Sequence, residues 1–333
     1  MRFILNSLLI LILLPATLWG AGAIWWRLPA GEIGRGLSAA AFALAMLAIG
    51  LLLWRRQWPA LVPAVLLWAL LLGWWATILP SNDRDWQPDM AHVARARIDG
   101  DLLTVENVRN FTWRSDTDFD QRWETRSYRL SRLQGADLFL SYWAGELVAH
   151  AIVSFDFADT EPLAFSIEIR KETGESYSSL AGFFKSYELA VIAADERDIV
   201  KVRGTVRGED VRLFRLDMQP QTVRGLLGEY VTLANDVAAH PRWYHTLTAN
   251  CTTVIFGMAR RLDPNIRLDW RILLPGQLPS FLRAQEFVSR DVPLEALIAA
   301  GRIGPRAAGP TPDPGFSARI REGVPHPAGQ AGG

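Results

Sequence analysis

The first eighty residues consist of long apolar runs separated by short polar breaks. The runs are Phe3–Trp26, Leu37–Trp54 and Pro59–Ile78. Because about 20 apolar residues span the hydrocarbon core of a bilayer, the pattern predicts three transmembrane helices that form an anchor over residues 1–80. A cleaved signal peptide is the alternative for the first run. Trp25 and Trp26 lengthen that run and two further runs follow it, which favours a membrane span.

The residues at the ends of the runs indicate how the anchor is oriented. Tryptophans cluster there, as is typical of rings at the headgroup level of a membrane: Trp25, Trp26, Trp54, Trp58, Trp74 and Trp75. Arg2 makes the N-terminus basic, and Arg55 and Arg56 make the second loop basic, so the positive-inside rule places both in the cytoplasm. Three spans then place everything after Pro80 outside. We therefore expect a multi-pass protein of the bacterial inner membrane with its C-terminal domain in the periplasm, whereas two spans would invert this topology.

Beyond residue 80 the pattern changes to alternating strands and later helices. Strand signals, namely β-branched and aromatic residues in alternation between turns, fall at Leu102–Val108, Thr125–Leu130, Asp137–Tyr142, Val148–Phe155, Leu163–Arg170, Glu188–Ala193, Ile199–Arg203 and Val211–Leu216. Helical periodicity covers Leu180–Tyr187, Thr222–Ala239 and Thr252–Leu262. Strands followed by helices predict an α+β domain over residues 81–303, with an antiparallel sheet and packed helices. Residues 304–333 are rich in Pro, Gly and Ala without a hydrophobic period, which predicts a disordered tail.

Composition narrows the classes of function. The chain has 333 residues with 35 basic and 35 acidic side chains. Residues 1–80 hold five of the bases and one of the acids, so neutrality is a cancellation between a basic anchor and a mildly acidic domain. A balanced charge argues against a nucleic-acid partner. A single Cys forms neither an internal disulfide nor a thiolate zinc site, and no glycine-rich phosphate loop is present, so we expect no cofactor and no metal.

An acidic turn resembles the start of a calcium loop. Asp116, Asp118 and Asp120 have the right spacing, but Gln121 and Ser127 stand where the loop requires Gly and Glu. We therefore expect a solvated turn in which arginines pair with the aspartates.

The single thiol, Cys251, lies in Ala-Asn-Cys-Thr-Thr, immediately before an apolar stripe with helical spacing. Asn250 is a favourable N-cap residue, so the helix is predicted to begin at the cysteine. The positive end of the helix dipole favours a thiolate, which is what a nucleophilic Cys requires. A buried Cys that packs as a small hydrophobe is the alternative.

A thiol nucleophile requires a general base, and His150 is the favoured candidate among the five histidines. It lies in a strand-like run, and the next run carries Ser166 and Glu168 on one face. If the two strands form a hairpin, Glu168 or Ser166 lies beside His150, where a carboxylate would orient the imidazole. The alternative is a polar, solvent-facing strand with one His. His245 and Tyr244 lie close to Cys251 in sequence and are secondary candidates together with Asn250 and Ser166.

Several ordered blocks resemble the Lnb N-terminal periplasmic domain family over about residues 90–290. They are Asn107–Phe111, Asp118–Arg126, Glu168–Glu172, Ala194–Asp198, Trp243–Tyr244 and Asn250–Thr253. That family is similar to permuted papain-like thiol enzymes of the NlpC and lecithin retinol acyltransferase kind, in which a His on an early strand precedes a Cys at a later helix start. The resemblance implies a permuted papain-like fold with Cys251 as nucleophile and His150 as base; Glu168 as the orienting carboxylate follows from strand alternation.

The resemblance implies acyl transfer through an acyl-thioester, because some members of the family are lipoprotein N-acyltransferases. We therefore expect a membrane-anchored periplasmic thiol acyltransferase or amidase that acts beside the lipid bilayer on a lipoprotein, phospholipid or peptidoglycan substrate. The alternative is a non-catalytic envelope scaffold or lipid- or partner-binding module with the same fold. A scaffold predicts a Cys251 that lies more than roughly 10 Å from His150, well beyond hydrogen-bond reach, or that is closed off from solvent.

Overall fold

The computed structural model describes residues 2–309 and 313–326, with side chains from residue 11 onward. The described chain forms two compact units. One comprises Met1–Ser81 and Tyr177–Tyr187, and the other comprises Asn82–Ser176 and Glu188–Gly333. The boundary near residue 81 therefore coincides with the change in hydrophobic pattern, but an eleven-residue segment from the middle of the chain groups with the N-terminal helices.

The N-terminal unit contains the helices α1 (Arg2–Arg27), α2 (Glu32–Trp54) and α3 (Leu61–Thr77). Among the described residues, two helical stretches are long and apolar enough to cross a bilayer, Glu32–Trp54 and Trp58–Thr77. The first predicted span lies partly outside the residues whose side chains are described. Two candidate spans are thus observed where the sequence predicts three.

The segment Tyr177–Tyr187 corrects one helix prediction. Instead of a helix over Leu180–Tyr187, the structure has a single 3₁₀ turn, Ala181–Phe183. Gly182 in its centre disfavours a helix, and Lys185 has a positive φ of 53° that ends the turn. The Lys185 ammonium donates to the carbonyl oxygens of Trp75 and Ile78, at 2.8 and 3.1 Å.

The C-terminal unit is built on an eight-stranded sheet. Its strands are β1 (Arg95–Asp99), β2 (Leu102–Arg109), β5 (Trp123–Arg129), β6 (Leu133–Tyr142), β7 (Ala149–Phe157), β8 (Thr160–Arg170), β9 (Glu188–Ala194) and β10 (Asp210–Arg215). The order is β1-β2-β9-β8-β7-β6-β10, with β5 paired to the other edge of β2. All pairs are antiparallel except β2 with β9. The short strands β3 (Thr112–Trp113) and β4 (Phe119–Asp120) form a separate ribbon.

Helices cover both faces of this sheet, which confirms a mixed α+β domain with a mostly antiparallel sheet. They are α4 (Glu196–Ile199), α5 (Pro220–Ala239), α6 (Cys251–Leu262), α7 (Leu278–Ala284), α8 (Leu294–Gly301), α9 (Gly304–Ala307) and α10 (Phe316–Arg321). One apolar cluster joins Val153 and Phe165 of the sheet to Tyr230 of α5 and Met258 of α6. A second cluster, on the alternate strand positions, joins Phe139 and Ile152 to α4, α9 and α10. Successive residues of each strand point to opposite faces of the sheet and therefore contribute to two separate cores.

The predicted strand Ile199–Arg203 is wrong. Asp195 caps the short helix α4 by accepting a hydrogen bond from the Arg197 amide, and a π-helical turn, Val202–Val206, follows. The β-branched residues that mimic a strand are buried by helical turns packed against the sheet, so tertiary packing overrides local β-propensity.

The prediction of disorder over residues 304–333 does not hold for the described part of that segment. Helix α10 buries Phe316 and Ile320 completely. Its Arg321 pairs with Glu196 and Asp137, at 2.6 and 2.8 Å. The low-complexity composition hides a short apolar and basic helix that completes the second core. Residues 310–312 and 327–333 lie outside the described chain.

The acidic turn is held by arginines, as expected. Arg114 pairs with Asp118 at 2.6 Å and with Asp120 at 2.7 Å, and Arg207 pairs with Asp116 at 2.9 Å. These pairs occupy carboxylate oxygens that a calcium ion would require.

Candidate active site

Cys251 is the first residue of α6, as the cap signal predicts. The Asn250 side chain accepts from the Thr253 amide at 2.8 Å, and the Thr253 hydroxyl accepts from the Asn250 amide at 3.0 Å, which forms a capping box. The Cys251 and Thr252 amides belong to the first turn, where no helical carbonyl is available to them. Cys251 as a whole residue is 8% exposed, so the thiol is a buried group at the positive end of a capped helix.

His150 lies at the start of β7, and the expected hairpin with β8 is observed. Ile152 pairs with Ser166 in the ladder, so His150, two residues earlier, faces Glu168, two residues later. The His150 Nε2 atom lies 2.7 Å from Ser166 Oγ and 3.1 Å from Glu168 Oε1. Both predicted neighbours therefore contact the imidazole, on the same nitrogen.

Glu168 Oε1 is the point at which several groups converge. It accepts from Ser166 Oγ at 2.7 Å and lies 3.0 Å from Arg203 Nη2 as well as near the imidazole. Arg203 is in turn paired with Glu209 at 3.2 Å, and Glu209 accepts from the hydroxyl of Ser141. The carboxylate is thus fixed from three sides.

These contacts favour a thiolate–imidazolium pair. Burial is the largest single effect and lowers the pKa of His150, but the charge of Glu168 together with the charge and hydrogen bond of Cys251 raises it to about 9. Burial raises the pKa of the Cys251 thiol, but the positive charge and hydrogen bond of His150 and the Ala151 amide together bring it below its ordinary value. For Glu168, the His150 and Arg203 charges overcome burial and hold the pKa well below its usual range. Since Nε2 is engaged by Ser166 and Glu168, Nδ1 is the nitrogen left for the thiol.

A buried tyrosine lies near the thiol, and an apolar cavity is lined by the residues that follow His150 and Cys251 in the chain. Tyr230 of α5 is fully buried, and its hydroxyl makes no hydrogen bond to any part of the chain that the structure describes. Burial, and to a smaller degree the charge of Cys251, raises its pKa. A cavity of about 340 Å³ is lined by Ala151 and Thr252, the chain neighbours of His150 and Cys251. Most of its other walls are apolar, including Leu138, Val153, Leu226, Ile255, Phe256 and Phe281.

Three of the secondary candidates, Tyr244, His245 and Asn250, lie in the loop before α6, where two of them form hydrogen bonds with the backbone. Asn250 caps the helix, and its amide donates to the Thr246 carbonyl. The His245 Nδ1 atom accepts from the Leu247 and Thr248 amides, both at 3.3 Å, which closes a tight turn. Tyr244 packs against the core cluster that contains Cys251. These side chains shape the approach to the thiol, whereas Ser166 belongs to the His150 hydrogen-bond network.

Sequence reasoning missed Arg203, Glu209 and Tyr230. Arg203 lies 35 residues from Glu168 in a segment with a strand-like pattern, so no local signal places its guanidinium at the site. Tyr230 occupies an ordinary core position in the periodicity of α5. Only the packing of α5 and of the π-helical turn against the sheet brings these groups to the hairpin.

Comparison with known proteins identifies the domain that holds this site. No curated protein and no solved structure matches the chain. Residues 119–278 match the sequence model of the Lnb N-terminal periplasmic domain, and this range includes His150, Glu168, Arg203 and Cys251. A periplasmic domain together with apolar N-terminal helices fits a membrane-associated protein. Residues 119–278 of the chain are thus similar to the Lnb N-terminal periplasmic domain family.

Proposed function

We propose that the chain is a membrane-anchored periplasmic thiol acyltransferase in which Cys251 is the nucleophile, His150 the base and Glu168 the orienting carboxylate. The observation that carries the proposal is the position of His150, which interacts with the Cys251 thiol and with Glu168 at the same time. A nucleophile, a base within reach of it and a third group that orients the base are the parts that covalent acyl transfer requires.

The reaction proceeds in two balanced steps. The thiolate attacks the carbonyl carbon of an acyl donor, the S–C bond forms, and the C–O bond to the leaving alcohol breaks as His150 donates its proton to that oxygen. An acceptor amine then attacks the thioester, His150 takes the amine proton, the C–N bond forms and the thiolate is released. The free amides of the first turn of α6 are suited to stabilise the oxyanion of each tetrahedral intermediate.

The apolar cavity lined by Ala151 and Thr252 supports an acyl chain as the transferred group. Its lining is mostly hydrocarbon and aromatic, which suits an aliphatic chain and offers few partners to the hydroxyls and amides of a glycan-linked peptide. A lipid donor also agrees with apolar helices that would hold the domain at the bilayer. We favour acyl transfer from a lipid or lipoprotein over a peptidoglycan amidase on this ground.

The test is trapping of the acyl-enzyme. The full chain in detergent is incubated with an alkyne-tagged long-chain phospholipid, and the covalent adduct is located by mass spectrometry. We expect acylation of Cys251 that neutral hydroxylamine removes, a hydroxylamine-resistant ester in Cys251→Ser, and at least about 100-fold slower acylation in His150→Gln. His240→Gln is the matched control, because His240 is exposed and pairs with Asp236.

Two outcomes contradict the proposal. Folded wild-type protein that accumulates no adduct with phospholipid or diacylated lipopeptide would favour the non-catalytic scaffold. An adduct that forms equally in His150→Gln and His240→Gln would remove His150 from the mechanism.

We further propose that three N-terminal helices span the inner membrane and place the domain in the periplasm. The support is the charge pattern, with Arg55 and Arg56 in the short polar loop between α2 and α3. In a Cys251→Ala background, single cysteines at Ser81 and Gln57 are treated in intact spheroplasts with a membrane-impermeant maleimide. Labelling at residue 81 without labelling at residue 57 is expected; the reverse pattern would mean that the domain faces the cytoplasm.

A further inference from the structure

Arg203 is a buried cation at the proposed site that the thiol mechanism leaves without a role. Its side chain is 9% exposed and reaches Glu168 and Glu209, whose side chains are 12% and 10% exposed. A buried guanidinium is tolerated only when carboxylates pair with it. It projects from a π-helical turn, a rare element found frequently at functional sites.

The guanidinium shares one oxygen with the imidazole. Arg203 Nη2 lies 3.0 Å and His150 Nε2 lies 3.1 Å from the same Glu168 Oε1. Two cationic donors on one oxygen compete for its negative charge. Arg203 therefore fixes the position of the carboxylate and weakens the hold of Glu168 on the imidazolium proton, and its charge lowers the pKa of His150 against the effect of Glu168.

We propose that Arg203 is a positioning residue that sets the strength of the base: it holds Glu168 in place beside His150 and limits the stabilisation of the imidazolium, so that the proton remains available to the leaving group. This inference rests on the proposed thiol chemistry. A carboxylate with no competing cation would retain the proton on His150 too tightly for a general acid near neutral pH.

Glu209 is the second carboxylate that pairs with Arg203, in addition to Glu168. It pairs with Arg203 and is held by Ser141, the residue opposite His150 in the β6–β7 ladder. The charged and titratable groups that face the base are thus Cys251, Glu168, Arg203, Glu209 and, across the thiol, the Tyr230 hydroxyl. Glu209 is expected to moderate Arg203 as Arg203 moderates Glu168.

The single cysteine gives a direct readout of this balance. In the full chain in detergent, the rate of iodoacetamide alkylation is measured as a function of pH, and every adduct is on Cys251. The rate rises in two steps, first as the thiol ionises and again as His150 loses its proton, because a thiolate paired with a cation is the weaker nucleophile.

Substitutions of Arg203 and of Glu209 are expected to move the second step in opposite directions. Arg203→Met removes a cation from Glu168 and should move the second step up by roughly one pH unit, whereas Glu209→Gln leaves Arg203 less neutralised and should move it down. Arg203→Lys keeps the positive charge, so its second step should lie close to that of the wild type. The control is Arg207→Met, just after the π-helical turn, where the arginine pairs with the exposed Asp116.

The outcomes separate this inference from the proposed function. A wild-type profile with one step at the ordinary thiol pKa overturns the thiolate–imidazolium pair and with it both proposals. Two steps in the wild type that stay unmoved in Arg203→Met and Glu209→Gln, or that move in the same direction in both, overturn the role of Arg203 alone. If Arg203→Met does not fold, Glu209→Gln still decides the question, because a second step that stays in place or moves up in this variant overturns the role of Arg203.

Discussion

At the scale of single residues, the site depends on how one carboxylate oxygen is shared. Glu168 Oε1 contacts an imidazole, a hydroxyl and a guanidinium within 3.1 Å. In a buried setting each of these charges has a strong effect on its neighbours, because little water screens them. The pKa of His150 therefore reflects its burial and the charges of Glu168, Arg203 and Cys251 together, and the pKa of Cys251 depends in turn on His150.

This coupling predicts a pH dependence of stability. His150 has its pKa raised in the folded chain, from the ordinary 6.5 to about 9. A raised pKa contributes stability that is fully present below the unfolded value and is lost as the pH rises through the folded value. The charge and hydrogen bond of Cys251 are among the causes of the raised pKa, so in Cys251→Ala the fall in the free energy of unfolding between pH 6.5 and 9 should be smaller than the roughly 2 kcal/mol that the raised value allows.

The measurement is urea unfolding of the full chain in detergent at several pH values. The control is Cys251→Ala combined with His150→Gln, in which the slope over this window should disappear. An equal slope in both variants would assign the titration to another group.

At the scale of elements, the proposed catalytic groups come from a hairpin and from the start of a helix. Alternation in two apolar runs was sufficient to place His150 beside Ser166 and Glu168, because the side-chain period of a strand leaves only one choice of face. The cap signal was sufficient to begin α6 at Cys251. The same reasoning failed at Ile199–Arg203, where valine and isoleucine alternate in a segment that folds as helical turns and supplies Arg203.

At the scale of the whole C-terminal unit, the last described helix, α10, is joined to the sheet by buried ion pairs. Arg321 of α10 pairs with Glu196 and Asp137, which are 0% and 1% exposed. Burial raises the pKa of Asp137 although two arginines oppose it, whereas for Glu196 the charge and hydrogen bonds of Arg321 outweigh burial and lower the pKa. Asp137 lies on β6 and Glu196 begins α4, so a segment without sequence periodicity has a structural role in joining them.

Removal of this arginine should destabilise the domain strongly. Arg321→Met leaves the buried Glu196 without its guanidinium partner and leaves Asp137 with Arg215 alone, and we expect a loss of about 3–5 kcal/mol in the free energy of unfolding. Arg319→Met is the matched control on the same helix, because Arg319 pairs with Asp313 in a more exposed position, and it should cost less than about 1 kcal/mol. Equal effects of the two substitutions in urea unfolding would show that α10 is not tied to the sheet through Arg321.

The sequence by itself determined the features that depend on local periodicity and local chemistry. Three features depend only on neighbouring residues, and each favours one local conformation. They are the apolar runs, the alternation of the strands around His150 and Glu168, and the cap at Asn250. The convergence of Arg203 on Glu168, the approach of Tyr230 to the thiol and the anchoring of Arg321 against Glu196 were decided only by tertiary structure. These contacts join segments 21 to 125 residues apart, and no local pattern encodes which distant charge will satisfy a buried one.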